Sequence, residues 1–269
     1  MALPPPSQSA TALVTGPSSG IGAEIARELA RRGHGLTLVA RREDRLRELA
    51  TEISGEHGVR VETIAADLGR AEERDRLAAA IDALGLSVEV LVNNAGFGDS
   101  APLHKTDRER VVGMVALNCE ALLDLQARYS PAMAERGRGA IINVASTAAF
   151  QPIPGTATYA ATKAFVLSLS EATHAELKGK GVTVTALCPG PVKTEFVEVA
   201  GVGSAEESLP GMFWASAEEV ARAAIDGAAK GKRVVVPGGV VNRAGALTGQ
   251  HAPRMLALPI VKRLWRSGT

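Results

Sequence analysis

The chain has 269 residues, 46% of them hydrophobic, with 30 basic and 29 acidic side chains. It can bury a large core, and its balanced charge gives no general attraction for nucleic acid. Two cysteines, Cys119 and Cys188, and five scattered histidines offer neither a disulfide framework nor a metal cluster. No apolar run reaches the length of a membrane span, and "MALPPPSQSA" lacks the basic start and apolar stretch of a secretory signal. A cytoplasmic protein is expected, with residues 1–10 as a disordered, Pro/Ser-rich lead-in.

In chain order, "TALVT" (11–15) reads as a strand and "GAEIARELARRG" (22–33) as a helix with apolar residues at helical spacing. A strand at 36–40, a charged helix at 43–54, a strand at 59–66 and a helix at 71–84 follow. Next come a strand at 88–94, a long helical region near 107–136 and a strand at 140–146. A helix at 156–179, a strand at 182–188, a helix at 216–230 and a short strand at 233–237 complete the pattern. Strands apolar on both faces, alternating with helices, predict an α/β protein with a parallel sheet covered on both sides. Right-handed crossovers make it doubly wound, with about seven strands. No linker or second core interrupts residues 11–240, so one domain is expected, followed by a C-terminal extension at 241–269.

"VTGPSSGIG" (14–22) joins the first strand to the first helix. Gly16, Gly20 and Gly22 would let backbone approach phosphate oxygens, and the helix start offers free N–H groups and a positive dipole. Ser18 and Ser19 add hydroxyl donors. The spacing is G-x-x-x-G-x-G, unlike the usual G-x-G-x-x-G dinucleotide fingerprint. After the second strand, where an NAD site usually carries a carboxylate for the ribose, stands "LVARRED" with Arg41 and Arg42. Arginine grips a 2′-phosphate that a carboxylate would repel, so NADP(H) is expected in preference to NAD(H).

Tyr159 and Lys163 lie four positions apart in "TYAATKAF" and so project from one helix face. A free phenol has a pKa of about 10, and a neighbouring ammonium favours the phenolate. Such a tyrosine can give a proton to a reduced carbonyl or take one from an alcohol. Ser146 ends the fifth strand at the sheet edge where ligands bind, and "VNNAG" (92–96) ends the fourth with polar and small groups suited to a nucleotide wall.

Taken together, T-G-x-x-x-G-x-G at 15–22, N-N-A-G at 93–96, Ser146 and Y-x-x-x-K at 159–163 resemble the short-chain dehydrogenase/reductase family over residues 11–238. The resemblance implies a Rossmann-type fold and an NADP-preferring, bacterial-type oxidoreductase that interconverts carbonyl and alcohol. It makes Tyr159 the acid/base, Lys163 its pKa-lowering partner and ribose ligand, and Ser146 the carbonyl-orienting group. Asn118 in "ALNCEA" matches the asparagine that holds a relay water. Gly16, Ser18, Ser19, Gly20, Ile21 and Gly22 would cradle the cofactor. Arg41 matches the position that reads the 2′-phosphate, with Arg42 beside it as a further cofactor contact. Asp67, Leu68, Asn93, Ala95 and Gly96 would stand around the adenine and backbone. Pro189, Gly190, Val192 and Thr194 in "CPGPVKT" would cover the nicotinamide. Pro17 stands where the family often has alanine.

Residues 195–214 read as a lid over the active site. Phe196, Phe213 and Trp214 from it, with Phe97, Phe150 and Ile153 opposite, would line a pocket for a hydrophobic ketone, aldehyde or alcohol. The resemblance also implies a homodimer or homotetramer through the helices bearing Asn118 and Tyr159. The apolar, basic tail 254–266 reads as a packed or subunit-contact segment, with membrane-surface contact the less favoured alternative. The rival reading is a catalytically silent nucleotide sensor or scaffold, and retention of Ser146, Tyr159 and Lys163 argues against it. Nucleotide-sugar epimerases and enoyl reductases would show a different glycine spacing and a longer tyrosine-to-lysine gap, respectively.

Overall fold

The computed structural model describes residues 3–196, 214–251, 253–255 and 258–259. Seven strands form one sheet: β1 (Ala10–Thr15), β2 (Leu36–Ala40), β3 (Val61–Ala65), β4 (Ser87–Asn93), β5 (Gly139–Val144), β6 (Val182–Leu187) and β7 (Val234–Val235). Their order is β3-β2-β1-β4-β5-β6-β7, and every pairing is parallel. β2, β5 and β6 are buried along their whole length, which marks a sheet with both faces covered.

The helices are α1 (Gly20–Arg31), α2 (Glu43–His57), α3 (Ala71–Ala83), α4 (Arg108–Val115), α5 (Leu122–Glu135), α6 (Ala157–Leu177), α7 (Ala217–Ala229) and α8 (Val240–His251). α1, α2 and α7 close one face of the sheet around Ile25, Leu29, Leu46 and Val220. α3 and α5 close the other around Leu77, Ile81 and Leu125. The chain leaves β1 toward β2 on one side and returns to β4 on the other. The C-terminal ends of β1 and β4 therefore flank a switch point, where a crevice for a ligand opens. Both the glycine turn and "NNAG" lie there.

The sequence pattern is altered in four places. The long helical region is broken into α4, a π-helical turn at Ala116–Ala121, and α5. The last strand shrinks to two residues. α8 was not expected: its two glycines and weak apolar stripe hide it, and the packing of Ala246 and Asn242 reveals it. Residues 3–9 are not a disordered lead-in, because Pro4 is buried, Leu3 packs on the core, and the Ser87 N–H donates to the Ser9 carbonyl at 2.8 Å.

A polar seam runs through the sheet centre. Asn93 donates to Asn143 at 2.9 Å, and Asn143 donates to Gln126 on α5 at 2.7 Å and to Ser170 on α6 at 2.9 Å. Asn93, Asn143, Gln126 and Ser170 are all buried. These bonds have directions, so they fix both helices against β4 and β5 more narrowly than apolar contact would.

Candidate active site

The glycine turn is built so that only glycine fits. Gly16 and Gly20 have φ of 66° and 59°, in the left-handed region. A Cβ on Gly16 would lie 2.9 Å from Ala95 Cα, and one on Gly22 would lie 2.6 Å from the Gly16 carbonyl. Asn94 holds this turn against β4: its Nδ2 donates to the carbonyls of Thr15 and Gly16 at 2.9 and 3.0 Å. The Thr15 hydroxyl in turn accepts from the backbone N–H groups of Asn94 and Ala95. The open N-terminus of α1 follows at Gly20, with Ile21 half-buried behind it. Free N–H groups, a positive dipole and a close-approach turn fit a nucleotide pyrophosphate.

Next to this turn lies the acid–base cluster. α6 carries Tyr159 and Lys163 on one face, with the Lys163 ammonium 5.6 Å from the centre of the Tyr159 ring. Lys163 is buried and donates to the Val144 carbonyl at 2.8 Å, two residues before Ser146. Burial pushes the Lys163 pKa down to about 8. Ser146 starts a 3-10 turn at Thr147–Phe150, where its hydroxyl accepts from the Ala148 N–H at 3.1 Å. Asn118 sits in the π-helical turn, a device that re-aims one side chain within a helix. A Cβ on Gly96 would lie 2.9 Å from Asn118 Oδ1 and 3.7 Å from the Lys163 ammonium, so the two groups meet beneath Gly96. The Asn118 amide clamps Phe97, accepting from its N–H at 3.1 Å and donating to its carbonyl at 2.9 Å. It also donates to the Thr162 hydroxyl at 3.1 Å, which donates to the Tyr159 carbonyl at 2.8 Å. The π turn is thereby tied to the helix that presents the phenol.

The cofactor residues divide. Arg42 reaches the glycine turn: its guanidinium donates to Ser18 at 3.2 and 3.0 Å and to Ser19 at 3.1 Å. Arg41 is exposed at the start of α2. Asn93 does not face the crevice with its side chain, which is buried in the polar seam; Asn94 is the asparagine that serves the turn. Asp67 accepts from the Gly69 N–H at 3.1 Å, and the Leu68 side chain is buried in the core. Past β6, the Pro189 carbonyl accepts from the Thr147 N–H at 2.9 Å, joining the segment after β6 to the one after β5. Gly190 lies under Asn242 of α8, whose side chain is 3.0 Å from where a Cβ would be. Val192 bridges to Ala215, and the Thr194 methyl lies 3.0 Å from the position of a Gly20 Cβ, over the glycine turn.

Of the expected substrate contacts, the Phe196 ring lies 5.6 Å from that of Tyr159. Phe97 is half-buried with the Arg110 guanidinium 5.3 Å above its ring, and Trp214 has the Lys193 ammonium 5.9 Å away. Phe150 packs on the core beside α6. Ile153 packs on Ala160 and is buried, so it is part of the wall behind the crevice. Phe213 and most of the expected lid lie outside the described residues. Thr15 and Thr162 were not expected in the site, and Asn94 was expected there only as one of the polar groups of "VNNAG".

Fold and site define a Rossmann-type nucleotide-binding protein with a tyrosine–lysine pair at the mouth of the crevice. A profile of the family described as short chain dehydrogenase matches residues 10–202. The very-long-chain 3-oxoacyl-CoA reductase of Anas platyrhynchos is 36% identical over 200 residues, covering 72% of this chain and 64% of that protein. That of Bos taurus is 35% identical over 192 residues, covering 70% and 61%. The chain thus spans under two thirds of the length of these relatives. Among solved structures, a short-chain dehydrogenase from Sphingobium yanoikuyae in complex with NADPH has a TM-score of 0.79 at 36% identity, over 93% of this chain and 96% of that one. A bulky-bulky ketone specific alcohol dehydrogenase from Comamonas testosteroni has a TM-score of 0.75 at 33% identity, over 88% and 90%.

This chain belongs to the short-chain dehydrogenase family, a class of NAD(P)-dependent oxidoreductases.

The expected cytoplasmic location is overturned by the reductase relatives. Those relatives are named for very-long-chain 3-oxoacyl-CoA substrates, whose long apolar chains favour a membrane surface over water. Among the described residues no helix is long and apolar enough to cross a membrane, which does not restore the assignment.

Proposed function

We propose that this protein is an NADP(H)-dependent reductase of hydrophobic ketones or aldehydes, acting also on the corresponding alcohols. The observation that carries the reading is the placement of Tyr159 beside the buried Lys163 ammonium, against the ends of β4 and β5 and next to the glycine turn. The glycine turn, Ser18 and Arg42 would hold NADPH, whose nicotinamide would supply the hydride. Tyr159 gives its proton to the carbonyl oxygen as the C–H bond forms, so one hydride and one proton convert the carbonyl to an alcohol. Ser146 hydrogen-bonds the same oxygen and stabilises its developing negative charge. Lys163 would hold a ribose hydroxyl of the cofactor, and its ammonium stands beside the Tyr159 ring. Asn118 fixes the Phe97 backbone and the Tyr159-bearing turn of α6 and lies on the path by which the proton is replaced.

The Phe196 ring, 5.6 Å from that of Tyr159, favours an apolar substrate. The names of the ketone-specific and 3-oxoacyl relatives support that class. The test is to mix the protein with NADPH or NADH and a panel of apolar ketones that includes a long-chain 3-oxoacyl thioester. Reduced nicotinamide absorbance should fall, faster with NADPH. Tight nucleotide binding without turnover of any carbonyl would instead favour the silent sensor. NADPH preference is assigned to Arg42, and Arg42→Ala should weaken NADPH binding about tenfold, as loss of charge-assisted hydrogen bonds does, while leaving NADH nearly unchanged. Equal losses for both cofactors in a fluorescence titration would refute that assignment.

We also propose a homodimer through α4, α5 and α6. Val112, Val115, Leu123 and Phe165 are 56, 46, 42 and 38% exposed on these helices, an apolar surface suited to a second copy. Leu123→Asp combined with Phe165→Asp should give a monomer in light scattering. A wild-type protein that is itself monomeric at micromolar concentration would end this proposal.

A further inference from the structure

We propose that Glu195 is a resident competitor for the 2′-phosphate of the cofactor, and that it sets how strongly the site prefers a phosphorylated nucleotide. This rests on the NADP(H) reading above. The Arg42 guanidinium divides its donors between two partners. Nε and Nη2 face the Ser18 and Ser19 hydroxyls, while Nη1 donates to Glu195 Oε2 at 2.9 Å. A carboxylate therefore stands on a ready-made anion site formed by one guanidinium and two hydroxyls. Hydrogen bonds from Arg42 first, and from Ser19, hold the Glu195 carboxyl below its ordinary range, so it is an anion at neutral pH.

The location decides which anion it displaces. Arg42 lies two residues past β2, where the ribose of a bound dinucleotide meets the sheet. Glu195 comes from the segment after β6, and its neighbour Thr194 rests on Gly20. The carboxylate thus reaches the site from across the crevice. Arg42 and Glu195 are about half exposed, and an ion pair so placed is weak. It is weak enough for a dianionic phosphate to displace, and it lowers the apparent affinity for that phosphate alone. NADH has no group that must take the carboxylate's place.

Glu195→Gln keeps the size of the side chain and removes its charge. It should tighten NADPH binding about three- to fivefold, the range for loss of one exposed competing ion pair, and change NADH binding less than twofold. Intrinsic fluorescence titration reads both affinities without turnover. 2′,5′-ADP should follow NADPH, and 5′-AMP should follow NADH. In an Arg42→Ala background the same substitution should have no effect on NADPH affinity, because the contested group is gone. Equal tightening of NADPH and NADH would place Glu195 at the pyrophosphate and overturn the proposal. An unchanged or weakened NADPH affinity would overturn it as well. If Arg42→Ala alone leaves the NADPH-to-NADH ratio as in the wild type, the NADP(H) reading itself fails, whatever Glu195→Gln does.

Discussion

Tyr159→Phe is expected to lower kcat for carbonyl reduction about a thousandfold, within the range for loss of a positioned general acid. Cofactor affinity and melting temperature should stay close to wild type. The substitution removes one oxygen and keeps the ring, so the contacts with Phe196 and the Lys163 ammonium persist. A hydride delivered to the carbonyl carbon would leave an alkoxide with no adjacent proton donor. Stopped-flow absorbance of NADPH with a saturating ketone reads the chemical step directly. A rate within tenfold of wild type would mean that another group protonates the oxygen.

Lys163→Met should act in opposite directions on activity and on stability. Activity should fall by about two to three orders of magnitude, through loss of the charge beside the phenol. Stability at neutral pH should rise. The ordinary lysine value of 10.5 is lowered to about 8 by burial, so the native protein resists the charged form. That difference corresponds to about 3 kcal/mol, present in full below pH 8 and fading as pH rises to the unfolded value. Loss of the hydrogen bond to the Val144 carbonyl offsets about 1 kcal/mol of the gain. The variant should therefore be about 1–2 kcal/mol more stable at pH 7, and that advantage should shrink steadily between pH 8 and 10.5. Urea unfolding of both proteins across this range checks it. A constant difference would mean that Lys163 does not carry a buried charge.

Much of the architecture was legible because a buried parallel strand is written as a short run of mostly apolar and β-branched residues. β2 matches its expected range at both ends, since every one of its residues is buried, Gly35 precedes it and charged residues follow it. Break points inside helices were not legible. The π turn at Ala116–Ala121 carries no glycine or proline to mark it, and the contacts that hold Asn118 there come from Phe97 and Thr162, distant in sequence. α8 was hidden for a related reason, since the residues it packs against include Gly190 and Phe150.

The sequence alone determined the local chemistry: a glycine turn between strand and helix, an arginine pair after β2, and a tyrosine one helical turn before a lysine. Backbone geometry enforces those relations over a few residues, so spacing is enough to read them. Only the tertiary structure decided which of two neighbours reaches the glycine turn. Arg42 rather than Arg41 meets the serines, and Asn94 rather than Asn93 braces the turn. Adjacent residues point in different directions, and the choice between them is made by groups 24 and 78 positions away that the fold brings within 3 Å. The placement of Glu195 on Arg42, 153 positions distant, has the same origin.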